Sequence, residues 1–534
     1  MHTRLRRRQF LLGGMAVAGL VVTSTAPSLS VPQVLAAAKQ PSPPEGDYGD
    51  MRSDPSLNGA PKLNILSSTG MALGDYIFLT PIDGDSRGPA IFDSLGHLVW
   101  FRPVTAGQVH NLQVVTLNGQ QLLAWYEGET ASDSPGSGTG ECVLIDSTYT
   151  EALRIRGGGG SAIDLHELRI TPQGTALVET YVPVQQDLTS LGGAPNTSVL
   201  DWLVQEVDPA SGAVLFSWRA LDHVPVTESV VAPPTTAGTV YDYFHGNSID
   251  VAPDGSLLIS ARNASTIYKL DRQTGDVTWR LRGGTPSIGT SVAAFNVPTT
   301  SKVVVPQIEA WRPAAQVAAG VPGILTLQPT SESFWFQHDA RWNSDGTLSL
   351  FDDGASPFHH SARALVLSID ENVGSATIIQ SYGVNIEVDY EGSARRQANG
   401  NWLVGWGSVG RFTEFDPAGQ VQLDASFGGN SYRAVRFPWA GQPTDLPATF
   451  AERTGADALT VWASWNGSTA VRAWRILAGD TSDSLATLGT FWWQDFETTM
   501  TAQSTAALIV VEALDSTGAT LATSAPVPVS QATG

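Results

Sequence analysis

Residues 248–281 read SIDVAPDGSLLISARNASTIYKLDRQTGDVTWRL. Short apolar runs are separated by Pro253-Asp254-Gly255 and Thr274-Gly275-Asp276, both turn-forming sequences. The stretch predicts four short strands joined by tight turns. The same frame recurs in RITPQGTALVETYVP (169–183) with WLVQEVDPASGAVLFSWRAL (202–221), and in LQVVTLNGQQLLAWYEG (112–128). It returns in ARWNSDGTLSLFDDG (340–354) with RALVLSIDENVGSATIIQSYG (363–383), and in ARRQANGNWLVGWGSVGRFTEFDPAGQVQLDASFG (394–428). A partial copy, YIFLTPIDGDSRGPAIFDSLGHLVWFRP (76–103), comes first and brings the number to six. Four-stranded units recurring at roughly 40–50 residues predict an all-β fold, a six-bladed β-propeller. No unit holds a 3.6-residue period, which excludes a helical solenoid. Longer insertions at 184–200, 224–243 and 284–333 would gather over one face and shape a pocket.

Outside the repeats the pattern changes. From 447 to 534 the chain alternates strongly, as in ALTVWASW (458–465) and AALIVVEAL (506–514), with a turn at Asn466-Gly467. This predicts a small C-terminal β-sandwich in the size range of immunoglobulin-like modules. At the other end, Arg4, Arg6, Arg7 and Arg8 precede an apolar stretch from Phe10 to Val22, and Ala36 to Ala38 offer a cleavage site. That is an export signal. Arg7-Arg8 followed by Gln9, Phe10 and Leu11 favours the twin-arginine type over a general secretory signal. The expected organisation is a twin-arginine-type signal peptide at 1–38, a linker at 39–61, the propeller at 62–446 and the sandwich at 447–534. The product would be secreted, extracellular or held in the cell envelope, and exported folded.

Charge narrows the partners. The 534 residues carry 51 acidic and 30 basic side chains, a formal net charge of -21. Removing residues 1–38 takes away four arginines and no acids, leaving about -25. Nucleic acid is excluded as a partner, because phosphate backbones need a basic surface. The apolar stretch of the leader is too short for an integral membrane span. A small anion held by a few local cations remains open. The one cysteine, Cys142, excludes an internal disulfide framework and any cysteine-based zinc knuckle.

Histidines mark the candidate site. His110, His166, His245 and His338 each lie 8 to 10 residues before the glycine of a first turn, at Gly119, Gly174, Gly255 and Gly346. On a propeller that phase is the start of the innermost strand, which lines the central channel. Asn247 follows His245 by two residues and faces the same side of the strand. Arg262 ends the next strand of the same unit. Histidine, asparagine and arginine together suit an oxyanion, and histidine serves as acid, base or nucleophile near neutral pH. No facing pair of carboxylates stands out, as glycoside hydrolysis would need.

DLHELRITPQGTAL, DYFHGNSIDVAPDGSLLISARNASTIYKLDRQTGDVTWRLRGG and FQHDARWNSDGTLSLFDDG resemble the bacterial arylsulfotransferase family, the PAPS-independent aryl sulfotransferases. QQDLTSLGG (185–193) and ALDHVPVTES (220–229) point to one branch of it. The resemblance covers about 75 to 430 and itself implies a six-bladed propeller. It implies transfer of a sulfuryl group from a phenolic sulfate ester to a phenol through a sulfohistidine, without metal, nucleotide or other cofactor. His166, His245, Asn247, Arg262 and His338 match the family's central residues, with His338 as the transiently sulfated histidine. The chain lacks the pair of cysteines some members carry.

The remaining features take plainer readings. Trp335 stands beside the His338 strand, where it would stack on an aryl ring. His97 reads as a surface residue in a Gly-His turn, and His359-His360 as an exposed loop. Asp352-Asp353-Gly354 lacks the rest of a calcium ligand set. DRQTGDVTWRL (271–281) also resembles a blade motif of quinone-dependent dehydrogenases, which leaves such an oxidoreductase as one alternative. A non-catalytic propeller that binds a ligand or cell-wall partner is the other. Oligomeric state has no signature in the sequence.

Overall fold

The computed structural model describes residues 48–70, 75–83, 86–131, 136–284, 323–355 and 360–531. The expected export signal and most of the 284–333 insertion lie outside them. The fold is all-β. Among the described residues, six antiparallel sheets follow the six sequence units.

Named from the inner strand outward, the second sheet is Gln108–Leu117, Gln120–Thr130, Gly138–Ile145 and Glu151–Ile155. The third is Leu168–Ile170, Ala176–Gln186, Thr197–Val207 and Val214–Arg219. The fourth is Gly246–Val251, Leu257–Ala261, Thr266–Leu270 and Val277–Arg282. The fifth is His338–Trp342, Thr347–Asp352, Arg363–Asp370 and Ser375–Tyr382. The sixth is Ser393–Arg396, Trp402–Gly405, Arg411–Phe415 and Val421–Ser426, and Asn64–Ser68 adds an outer strand to it.

The first sheet is built from both ends of this region. Val435–Phe437 supplies its innermost strand and pairs with Tyr76–Leu79, which leads on to Ala90–Phe92 and Leu98–Phe101. Inner strands of successive sheets touch in chain order from the second to the sixth. Val435–Phe437 then touches both the sixth sheet and the second sheet's inner strand. The six sheets therefore form a closed ring. Apolar clusters fill the spaces between neighbouring sheets, for example Leu177, Trp202, Ile249, Ile259 and Tyr268 between the third and fourth. A parallel strand, Ile324–Gln328, ties the outer edges of the fourth and fifth sheets together.

Two expected loops have structure of their own. Residues 184–200 extend a hairpin, paired in register from Ala176↔Val207 to Gln186↔Thr197. Residues 224–243 carry a 3-10 turn at Val226–Glu228 and a short strand, Val240–Tyr241, parallel to Ser198 and Val199.

The C-terminal region forms two facing sheets around its own core of Val461, Trp474, Ile476, Met500, Ile509 and Val511. It is joined to the ring closely. The backbone N–H of Gly467 donates to Val99 O at 2.8 Å, and Asn466 bonds both ways with Phe101. His97, expected at the surface, is fully buried: it is backed by Asp93 at 2.8 Å and meets the Trp493 ring edge-on at 5.0 Å. From Tyr48 onward the expected linker is packed. Tyr48, Met51, Leu57 and Ala60 join the apolar cluster of the first and sixth sheets, and Tyr48 Oη donates to Asp495 at 2.8 Å.

Candidate active site

The inner strands do not run straight into the axis. Pairing slips between His110 and Gln113, between Gly246 and Ser248, and between His338 and Arg341. Asn111, His245 and Asp339 take left-handed backbone conformations at these slips, with φ of 61, 53 and 53°. Such bulges re-aim a side chain at a cost of order 1–3 kcal/mol each when the residue is not glycine. Their effect here is to turn histidines of several sheets toward one another. Gly246 fixes the approach behind His245, since a Cβ there would lie 2.1 Å from the Trp202 ring.

His166 and His245 meet edge to face, with ring centroids 4.9 Å apart. The Tyr432 ring lies 5.4 Å from His166 and 6.1 Å from both His338 and His110. Tyr432 is thus the common neighbour of three imidazoles. It is fully buried, and its hydroxyl donates to Asn247 O at 3.0 Å.

Three of the four histidines are backed by a carboxylate through Nδ1. Asp164 holds His166 by a very short contact, Asp242 holds His245 at 2.5 Å, and Asp353 holds His338 at 3.0 Å. The carboxylates are themselves positioned. Asp164 accepts from the Gly138 N–H at 2.6 Å, and Asp242 from the His245 N–H at 3.0 Å. With Nδ1 committed, Nε2 is the nitrogen each ring has left for chemistry. His110 differs. Its Nδ1 is buried without a partner, and burial pushes its pKa down to about 3, so it stays neutral.

The electrostatics keep His338 neutral as well. Burial lowers its pKa well below the ordinary imidazole value, and the Arg262 guanidinium and the other imidazoles push the same way. A neutral imidazole is the nucleophilic form. Burial also raises the Asp353 carboxyl, with Arg262 pulling against it and Asp352, Glu391 and Asp389 adding to the rise. His166 is lowered by burial, with Asp164 opposing.

The predicted site residues come together unequally. His166 meets His245, and His166 and His338 both lie against Tyr432. Arg262 lies opposite His245, with its N–H donating to His245 O at 2.9 Å, and its guanidinium stacks on Phe336 at 4.7 Å. Asn247 is fully buried, and its amide donates to Gln337 O at 2.7 Å, one residue before His338. It braces the His338 strand. Trp335 is 4% exposed, packs against Gly284 and donates its indole N–H to Ser333 at 3.1 Å. It belongs to the wall behind the site.

Sequence reasoning missed Asp164, Asp242, Asp353 and Tyr432. The first three had a signal, since Asp164-x-His166 and Asp242-x-x-His245 sit inside the quoted stretches and Asp353 follows the His338 hairpin. Tyr432 had none, because it lies after the last repeat. One group among the described residues has metal-ligand proximity: Asp164, His166 and Glu179 place ligand atoms within 4.8 Å of one another. The His166–Asp164 hydrogen bond already joins two of them, and burial raises the Glu179 carboxyl toward its neutral form.

The geometry is a cluster of carboxylate-backed imidazoles beside a buried arginine. The family model for arylsulfotransferase (ASST) matches residues 113–294 and 320–428, just over half the chain and most of the ring. The chain belongs to the arylsulfotransferase family. His166, His245, Arg262 and His338 all lie within the matched residues. No curated protein matches the chain.

Solved structures resemble it only distantly. A Bacteroides caccae protein of unknown function is 12% identical with a TM-score of 0.38, over 68% of this chain and 98% of that one. A Pseudomonas aeruginosa periplasmic gluconolactonase is 13% identical with a TM-score of 0.34, over 80% and 99%. A Staphylococcus aureus virginiamycin B lyase is 10% identical with a TM-score of 0.32, over 76% and 97%. At these scores the likenesses carry no functional argument.

Proposed function

We propose that the protein is a secreted aryl sulfotransferase that moves a sulfuryl group from a phenolic sulfate ester to a phenolic acceptor through a sulfated His338. The observation that carries this is the set of three imidazoles, each backed by a carboxylate, beside Arg262 in a chain of the arylsulfotransferase family. The six sheets are read as the blades of a six-bladed propeller with the site at its axis, and the C-terminal pair of sheets as an immunoglobulin-like module.

In the first half-reaction Nε2 of His338 attacks sulfur, and the bond from sulfur to the phenolic oxygen breaks. The Nδ1–H stays on the ring and donates to Asp353, whose carboxylate offsets the positive charge the imidazole gains. Arg262 faces the sulfuryl oxygens as charge shifts toward them. His245 or His166 gives a proton to the departing phenolate. In the second half the acceptor phenol returns its proton to that histidine and attacks sulfur, which frees His338. No metal or diffusible nucleotide enters either half.

The test is incubation with 4-nitrophenyl sulfate, with and without a phenol acceptor. Nitrophenol release that depends on the acceptor supports transfer. Release without acceptor identifies a hydrolase, and no release favours a ligand-binding ring. Export through the twin-arginine pathway is part of the same proposal and rests on Arg7-Arg8.

A further inference from the structure

A second polar cluster runs along the inner strands, from the residues next to the histidines toward the strands' other ends. The residues next to the catalytic histidines in sequence, Glu167 and Asp339, are buried and take part in a network of arginines. Glu167 pairs with Arg341 closely and with Arg433 at 3.2 Å. Asp339 pairs with Arg341 at 2.9 Å, Arg395 at 2.6 Å and Arg433 at 3.1 Å. Three guanidiniums thus share two carboxylates, and one positive charge is left over. Burying unbalanced charge is costly unless something outside offsets it.

Beside this network a cavity of about 440 Å³ opens to solvent, lined by Arg169, Arg341, Arg395 and Arg396 with Asp250 as the one acid. The chain has 51 acidic residues to 30 basic, so four arginines on one cavity run against its composition. The existing partners do not use these arginines up. Arg395 holds Asp339 through Nε and Nη2, which leaves Nη1 without a partner. Arg169 reaches Asp250 through Nη2 at 3.0 Å, and Arg396 reaches Asp345 through Nη1. Asp250 is the acid an incoming anion meets, and its charge is offset by the Arg169 ion pair at 3.0 Å and by the Trp342 N–H, which donates to Oδ2 at 2.9 Å. Burial, with Arg341 adding to it, pushes the Arg395 guanidinium down to about 10, as expected of a cation short of counter-charge.

We propose that this cavity is a second oxyanion site, which takes a tetrahedral sulfate or phosphate group. Planar guanidinium donors suit such a group. His338 and Trp342 are the two ends of one inner strand, so the site lies about 13 Å of chain from the sulfated histidine, at ~3.3 Å per residue. It is distinct from the imidazole cluster and does not depend on the proposed transfer.

The group belongs to a free ion or to an ester, and titration calorimetry separates the two. Mature protein is titrated with sodium sulfate and with phenyl phosphate at fixed ionic strength in an anion-poor buffer. The wild type, the double variant Arg169→Gln/Arg396→Gln and His338→Asn are compared. The double variant removes two solvent-facing guanidiniums and leaves the buried network whole. It should weaken binding by about tenfold or more, while His338→Asn binds as the wild type does. A loss for sulfate assigns the free ion, and a loss for phenyl phosphate alone assigns the ester. Equal binding by the double variant, loss in His338→Asn, or no heat at millimolar anion in the wild type would overturn the proposal.

Discussion

Asp353→Asn isolates what the carboxylate behind His338 does. The hydrogen bond from His338 Nδ1 to Asp353 is 3.0 Å long and fully buried. A hydrogen bond to a charged group contributes about 1.5–3 kcal/mol, and at ~1.36 kcal/mol per tenfold its loss slows the step about 10- to 150-fold. The amide adds a second effect. Its N–H donates to Nδ1 and moves the ring proton to Nε2, which removes the attacking lone pair; a wrong tautomer of this kind costs up to ~10⁴ in rate. The expected loss in kcat therefore lies between about 10 and 10⁴, with little change in fold, since Asn keeps the shape.

The same variant has a pH signature. Burial holds the Asp353 carboxyl well above its ordinary value, with Asp352, Glu391 and Asp389 raising it and Arg262 lowering it. As pH falls through that raised pKa, the protonated acid donates to Nδ1 and Nε2 loses its lone pair, so wild-type activity is lost on the acid side. For stability the sign is opposite. A carboxyl raised on folding favours the folded state below its folded pKa and ceases to as pH rises through it. Asp353→Asn should therefore flatten the acid limb of kcat and, above that pKa, raise Tm relative to the wild type. The assay is nitrophenol release with a phenol acceptor from acid to mildly alkaline pH, beside thermal melts. Wild-type kcat in Asp353→Asn, or an unchanged acid limb, would refute the tautomer argument.

Other consequences follow from the same geometry. His166→Asn and His245→Asn, assayed singly, should show the proton donor as the one whose loss slows steady-state transfer by roughly 10²–10⁴-fold. Tyr432→Phe removes the bond to Asn247 O and should cost about 0.5–1.5 kcal/mol in denaturant melts. Tyr432→Ala, which empties the space between His110, His166 and His338, should cost about 3–5 kcal/mol and most of the activity. Replacing Arg7 and Arg8 with lysine should leave uncleaved precursor in the cytoplasm, and normal processing would favour a general secretory signal.

The ring of sheets was legible because turn chemistry survives in each unit: Pro253-Asp254-Gly255, Asn118-Gly119 and Asp345-Gly346 each stand at a first hairpin. The shared phase of the histidines pointed to the axis for the same reason. What the phase did not carry was side-chain aim. Asn247 keeps a site-like position in the sequence, yet its amide N–H donates to Gln337 O, a contact from the neighbouring sheet. Trp335 was judged by nearness in sequence to His338, while the left-handed Phe336 lies between them and Trp335 packs on Gly284. His97 was read as exposed from its turn, because the sandwich residue that covers it, Trp493, lies almost four hundred residues away. Asp353 was weighed only as a calcium ligand, although the pairing of His338 with Phe351 brings it back beside the imidazole. The contacts of Asn247, Trp335 and His97 are long-range and local pattern does not encode them, whereas Asp353 lies within the reach of the His338 hairpin itself.

The central claim is that His338 carries the sulfuryl group. Enzyme mixed with 4-nitrophenyl sulfate alone, quenched and digested under mildly alkaline conditions, is read by mass spectrometry. The account predicts about 80 Da added to the peptide that holds His338, and no addition in His338→Asn. The same mass on another histidine would move the nucleophile and leave the two-step scheme standing. Transfer between phenols with no adduct on any histidine would contradict the account and mean that donor and acceptor react directly.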